Sequence, residues 1–273
     1  MLIACIQSVH IGDNPTYLFK SLESIANQSL SPDLHVIVSD GPLSDVHNNC
    51  IENYIINTQH IKIVRLCFKK SKGLAACMNY AIYSHSADFY VRMDSDDISC
   101  PNRIETQVKF LLENECIDMV GSWISEIDSL DNIISNVIKY PTSHNDCLNF
   151  FKRRNPFVHP SIMFKFSFFE KIPTGYDESF LFDQDRELWS RAFINNCMVA
   201  NVPSVLLLYR RDSHFFRRRG SFNRSFCRLK NKFRINYKLN FGFFSYLFAL
   251  LHFIFDFFPP FFKKYTYRFR NFF

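Results

Sequence analysis

Three aspartates fall within four residues at Asp94-Ser95-Asp96-Asp97. Carboxylates packed so closely repel one another and raise each other's pKa unless a cation sits among them, and hard divalent ions take oxygen ligands of this kind. A metal site formed by Asp94, Asp96 and Asp97 is the economical reading. Capping of the helix that Pro101 opens would occupy one of these carboxylates, not three. A calcium EF-hand is excluded, because the sixth position from Asp94 is Ser99, where that loop requires Gly. A second acidic group, Asp183, Asp185 and Glu187, reads from residue type alone as solvated carboxylates favoured at the first turn of a helix. Asp40, a lone His159 and three consecutive arginines, Arg217, Arg218 and Arg219, complete the chemically interesting positions. Guanidinium groups bind phosphate in bidentate fashion, so these arginines suit either a nucleotide diphosphate or lipid headgroups.

The elements that must position these residues alternate short apolar runs with longer amphipathic ones. Strands are expected at Leu2–Val9, Leu34–Ser39, Ile61–Cys67, Asp88–Met93 and Met119–Ile127. Helices are expected at Tyr17–Asn27, near Val46–Ile56, at Leu74–Ser84 and after Pro101, where Ile104, Val108, Leu111 and Leu112 form a stripe. Strands separated by helices of this length make βαβ units, hence an α/β domain of the doubly wound kind with a mostly parallel sheet. Ligands of such sheets sit at the carboxyl ends of the strands. Asp40, ending the second strand, and Asp94 to Asp97, ending the fourth, are therefore expected to open on one crevice. Trp189, four residues past Asp185, suits core packing.

Of the 273 residues 47% are apolar, enough for one large or two small cores and too many for a disordered chain. The net charge of +6 divides unevenly: residues 1–209 hold 17 basic and 24 acidic side chains, and residues 210–273 hold 15 and 2. Ten of the 32 Phe lie between Phe241 and Phe262, so cationic and aromatic character coincide at the C-terminal end and point to an anionic partner, lipid or nucleic acid. The acidic body would repel a polynucleotide, and the Phe residues run together rather than alternating with basic ones, so no nucleic acid is expected. From Phe241 to Phe258 run 18 mostly apolar residues, close to the roughly 20 that span a bilayer core. Basic residues flank both sides, and Pro259-Pro260 stop a helix. An interfacial helix or hairpin keeps both flanks on an anionic cytoplasmic face, against which the alternative is a helical cap packed on the body. Nine cysteines without a Cys-x-x-Cys pair predict scattered thiols in a reducing compartment. The Leu2–Ile6 run, with no basic region before it, predicts no signal peptide.

Several motifs stand in a specific order: Ser8-Val9, Val38-Ser39-Asp40-Gly41, Lys72-Gly73-Leu74 through Asn79, Arg92-Met93-Asp94-Ser95-Asp96-Asp97 and Pro101-Asn102-Arg103. They continue with Asn155-Pro156-Phe157-Val158-His159-Pro160-Ser161, Gly175-Tyr176-Asp177 and Asp183-Gln184-Asp185. Across about residues 1–225 this pattern resembles the family 2 inverting glycosyltransferases of the GT-A fold, and among them those that build bacterial surface polysaccharides, of the amylovoran type. The resemblance implies a nucleotide-sugar donor, most simply a UDP-sugar, bound by Ser8, Asp40, Gly73, Asp94, Ser95 and Asp96, with Arg217 and Arg218 over the diphosphate. It implies Mg2+ or Mn2+ on Asp94, Asp96 and Asp97, and Asp185 as general base. Gln184 stands where the family usually has Glu. Asn155, His159 and Ser161 are implied on the acceptor side. A catalytic unit of residues 1–225, with a donor half to 130 and an acceptor half from 131, and a membrane-associating segment 226–273 follow as the expected organisation. The implied acceptor is a lipid-linked oligosaccharide at the cytoplasmic face of a bacterial inner membrane. A nucleotidyltransferase using the same metal cluster is the alternative, to which the Asp185 region and the 155–161 loop give no obvious purpose.

Overall fold

A computed structural model describes residues 1–211 and 222–258. Four parallel strands form its first half, β1 (Ile3–Val9), β2 (Leu34–Ser39), β3 (Lys62–Cys67) and β4 (Phe89–Met93), joined by α1 (Pro15–Ala26), α2 (Asp45–Asn57) and α3 (Leu74–Ser84). These lie within about two residues of the expected elements. Local chemistry explains the bounds: the Asn14 side chain caps α1 by accepting from the Thr16 and Tyr17 amides, and Pro15 occupies a first-turn position. Leu18, Leu22 and Ile25 then turn one face to the sheet. The strand β2 is buried throughout, as a central strand covered on both faces must be.

The second half follows as β5 (Ile98–Ser99), α4 (Arg103–Glu113), β6 (Met119–Ile127), β7 (Ile133–Ile138), α5 (His144–Phe151), β8 (Met163–Lys165), α6 (Phe166–Lys171), α7 (Gln184–Ile194) and β9 (Val199–Arg210). All strands join one sheet in the order β3-β2-β1-β4-β8-β6-β9-β5, with β7 on β6. Parallel pairing carries the long registers, while the antiparallel links through β8 and β5 are two or three residues long. In β9, Val202 faces Ser122 and Val205 faces Trp123, so Pro203 falls in a bulge where its missing N–H breaks no ladder bond.

Two further helices, α8 (Phe222–Lys238) and α9 (Phe243–Phe255), form a hairpin against α7. Here the expected division of the chain changes. The 225/226 boundary falls inside α8, and Ile235 and Phe241 belong to the same buried cluster as Trp189, Phe151 and Phe193. Burying those two side chains makes the hairpin continuous with the body. Its outer face is different: Phe243, Phe244, Leu247, Leu250, Leu251 and Ile254 are exposed, opposite the buried Ser245 and Ala249. No helix among the described residues is long and apolar enough to cross a membrane.

Candidate active site

Strand order reverses between β1 and β4, because the chain leaves β1 toward β2 and leaves β4 toward the other edge. The diverging loops open a crevice of about 220 Å3 lined by Ser8, His10, Asp13, Asp40, Leu74, Asp94, Ser95 and Asp96. Ser8, Asp40, Asp94, Ser95 and Asp96, far apart in sequence, thus share one cleft. The Asp40 carboxylate accepts from Ser71 Oγ at 2.9 Å, Lys72 N at 2.6 Å and Gly73 N at 3.1 Å. Gly73 adopts φ +90° and delivers α3 to the cleft edge. Ser95 Oγ donates to Asp13 Oδ2 at 2.6 Å, tying the carboxylate loop to the loop after β1.

Asp94, Asp96 and Asp97 each offer an oxygen to a space in which those atoms lie within 4.8 Å of one another. Their loop is held from several sides. Ser21 Oγ donates to Asp94 O at 2.7 Å, and Arg210 donates through Nε to Asp96 O and through its backbone N to Asp97 Oδ1, both at 2.7 Å. The short strand β5 pairs with β9 immediately afterwards. The Arg92 guanidinium reaches Asp94 Oδ1 at 2.5 Å. Asp97 is fully buried, and its Oδ2 has no hydrogen-bond partner among the described residues. Burial, reinforced by the charges of Asp96 and Asp94, pushes its carboxyl well above the usual range. A buried orphan oxygen beside two more carboxylates is costly by itself and fits a compact divalent cation.

Two of the residues implied on the acceptor side, Asn155 and His159, lie near the start of α7. Asp185 is half-buried there, and its Oδ2 accepts from Asn155 Nδ2 at 2.6 Å. Burial raises its carboxyl above the ordinary value, and Asp183 adds to this, while Arg186 and the Asn155 bond oppose it. A carboxyl raised in this way takes up a proton more readily than a surface aspartate. Tyr176 connects the two halves. Its buried phenol is raised by burial and by the charges of Asp185 and Asp94, with Arg92 opposing, and its OH lies 2.7 Å from His159 Nε2. Burial and Arg92 keep His159 well below the usual histidine range, hence neutral.

Ser161 departs from the sequence expectation. It is fully buried in the one-turn 3-10 helix His159–Ser161, where its Oγ donates to Val158 O at 2.8 Å and accepts from Ser122 N at 3.3 Å. It braces that turn against β6 and is closed off from solvent. Arg217 and Arg218, with Arg219, lie outside the described residues. Trp189 is fully buried against Phe157, Phe164 and His159, a core role.

A model of glycosyl transferase family 2 matches residues 13–172. The chain belongs to this family. It is 28% identical over 236 residues to the Escherichia coli UDP-Gal:alpha-D-GlcNAc-diphosphoundecaprenol beta-1,3-galactosyltransferase, covering 86% of this chain and 83% of that one. It is 28% identical over 222 residues to the amylovoran biosynthesis glycosyltransferase AmsE of Erwinia amylovora, covering 81% of each. Its fold matches that of the mannosyltransferase PcManGT from Pyrobaculum calidifontis in complex with GDP-Man and Mn2+, at a TM-score of 0.62 and 13% identity over 91% of this chain and 73% of that one. It also matches S. aureus TarS in complex with UDP, at 0.61 and 15% identity over 82% of this chain and 63% of that one. The protein is a glycosyltransferase with the GT-A fold.

For this glycosyltransferase the sequence reading passed over three groups. His10 and Asp13 follow the carboxyl end of β1, and the rule that pointed to Asp40 at the end of β2 applies to them equally. Arg92 carried a visible signal, a lone cation in an otherwise apolar strand directly before the carboxylates. Arg210 gave no hint of its contacts, because no strand was expected at Val199–Arg210.

Proposed function

We propose that this family 2 glycosyltransferase transfers a sugar, with inversion and with a divalent metal, from a nucleotide-sugar to a lipid-linked glycan in bacterial surface-polysaccharide synthesis. The observation that carries this reading is the cluster of the Asp94, Asp96 and Asp97 carboxylates, with Arg92 on Asp94 and with Tyr176 under the charges of Arg92, Asp185 and Asp94. Asp94, Asp96 and Asp97 would hold Mg2+ or Mn2+, which when bound supplies Lewis-acid neutralisation of the departing diphosphate. Ser8, Asp40 and the loop at Gly73 bound the opposite wall of the crevice, where a nucleoside fits. Asp185 takes the proton of the acceptor hydroxyl, Asn155 orients its carboxylate, and neutral His159 with Tyr176 shapes the acceptor wall. The E. coli relative is named for a UDP-sugar donor and a diphosphoundecaprenol-linked acceptor, which supports a UDP-sugar and a lipid-linked acceptor here.

The exposed apolar stripe of α9 and the basic residues of α8 suit attachment to an anionic membrane surface without a crossing. The cytoplasmic face of the inner membrane is where nucleotide-sugars and such acceptors meet.

The decisive experiment offers UDP-, GDP- and dTDP-sugars with Mn2+ or Mg2+ and a bacterial membrane extract as acceptor. Transfer should stop with a chelator and in Asp96→Asn. Asp185→Asn should keep donor binding and lose transfer. Full transfer in chelator, or in Asp185→Asn, overturns the metal or the base assignment respectively.

A further inference from the structure

The turn that leads into α7 is gripped from one side by the C-terminal hairpin. Arg224 lies over the Phe182 ring at 4.3 Å, Arg234 over the Phe180 ring at 5.6 Å, and Asn231 Nδ2 donates to Phe182 O at 3.4 Å. At the end of this turn Asp183 adopts φ +60°, a left-handed conformation uncommon for a residue other than glycine. It caps α7 without a side-chain capping bond, and its Oδ2 has no hydrogen-bond partner among the described residues. Its charge is met by Arg228, whose Nε lies 3.8 Å from Asp183 Oδ1. Arg228 is anchored in turn: its Nη1 donates to Asp256 Oδ2 at 2.8 Å, at the C-terminal end of α9. A chain of charge therefore runs from the end of the apolar helix through α8 to the residue two positions before Asp185.

We propose that the C-terminal hairpin is part of the acceptor-side machinery, with Arg228 as a positioning residue: anchored by Asp256, its guanidinium holds Asp183 in the conformation that starts α7 and thereby fixes Asp185. The inference rests on reading Asp185 as the base. The groups that face Asp185 are Asp183 and Arg186 from its own segment, Asn155 from the loop after α5, and Tyr176 from the turn before. From α8, Arg228 faces Asp183, and Lys232 faces Asp183 and Arg186. Removing Arg228 takes away the guanidinium paired with Asp183 beside Asp185, which drives the Asp185 carboxyl further upward, and also frees the turn.

The test uses the full-length protein and needs no substrate. Hydrogen exchange over residues 178–187 should quicken about tenfold in Arg228→Met and Asp256→Asn, and stay near wild type in Arg228→Lys. With aspartate labelled at the carboxyl carbon and the Asp185 signal assigned by its loss in Asp185→Asn, the Asp185 titration midpoint should rise by about half a pH unit or more in Arg228→Met. It should return when Asp183→Asn is added. A merely structural role would quicken exchange without moving that midpoint. An Asp185 midpoint that stays in place in a folded Arg228→Met protein overturns the proposal; if that variant does not fold, Arg228→Gln, which keeps a polar stem and lacks the charge, carries the same reading. Sugar transfer that survives Asp185→Asn would overturn the base assignment alone and leave the exchange and titration results standing.

Discussion

Lys232 is the place where the hairpin's attachment can be measured against pH. It lies on α8, is buried, donates to Phe151 O and stands over the Phe151 and Phe241 rings at 4.9 and 5.9 Å. Burial, with Arg186 adding to it and Asp183 opposing, pushes its amine down to about 7 from 10.5. At about 1.4 kcal/mol per unit, charging Lys232 in the folded state costs roughly 5 kcal/mol relative to the unfolded chain, and roughly 4 kcal/mol of that applies at pH 7. The sign follows from proton counts. Between about pH 7 and 10.5 the unfolded chain holds the lysine proton and the folded chain does not, so the Lys232 contribution to stability rises with pH across that window. Lys232→Met keeps the stem and removes the charge; it forfeits a hydrogen bond and ring contacts worth about 1–2 kcal/mol together. The variant should therefore be more stable than wild type by about 2–3 kcal/mol at pH 7 and equal or slightly less stable at pH 10. Urea denaturation of both proteins at pH 7, 8.5 and 10 reads this directly, since other titrating groups cancel in the difference. A stability difference that does not change across those three pH values would refute the burial argument.

Two further substitutions test the crevice. Arg210→Met removes the side-chain bonds to Asp96 O and Asp128 O and the ion pair with Asp131, which keeps Lys20; stability should fall by about 2–4 kcal/mol, and calorimetry should find Mn2+ binding weakened about tenfold or more, with Arg210→Lys between. Gly41→Ala should cost more stability than Gly73→Ala, about 2–3 against about 1 kcal/mol, because both sit near φ +90° but only at Gly41 would the added carbon meet backbone, Ser71 N at 2.9 Å; thermal melts that rank them the other way would contradict the packing of the Ser71–Gly73 loop on Asp40.

The first half of the fold was legible because its signals are local. Period and capping placed β1 to β4, and the strand-end rule put Asp40 and Asp94 to Asp97 on one crevice from spacing alone. Beyond β6 the chain was legible only through motifs, since β8 and β9 pair across long separations and β9 hides its period behind the Pro203 bulge. Ser161 shows what a motif alone leaves open: its side chain braces the loop against β6, which its place in the signature does not reveal. Arg210 shows the complementary limit, since its role depends on two segments, the loop at Asp96 and the turn at Asp128 and Asp131, that only the folded chain brings to one guanidinium.

The C-terminal Phe excess illustrates a deeper ambiguity. Composition reports how much apolar surface a segment carries and says nothing about which partner removes it from water. Phe241 and Phe243 are two residues apart and read alike, yet Phe241 is 7% exposed, packed on Phe151 in the main core, while Phe243 is 75% exposed on the outer stripe. The two expectations for this segment, a membrane-facing hairpin and a cap on the body, do not exclude one another, since one face of this pair of helices is buried and the other exposed. This decides how membrane attachment must be tested. Truncation from Phe241 onward would strip a core side chain and the Asp256 anchor of Arg228 along with the apolar stripe, so lost sedimentation with vesicles would be confounded by damage to the core and to the Asp183 turn. Phe244→Glu with Leu251→Glu alters only exposed positions. That variant should keep its melting temperature within a few degrees and lose cosedimentation with anionic vesicles, whereas binding that persists would assign the stripe to something other than lipid.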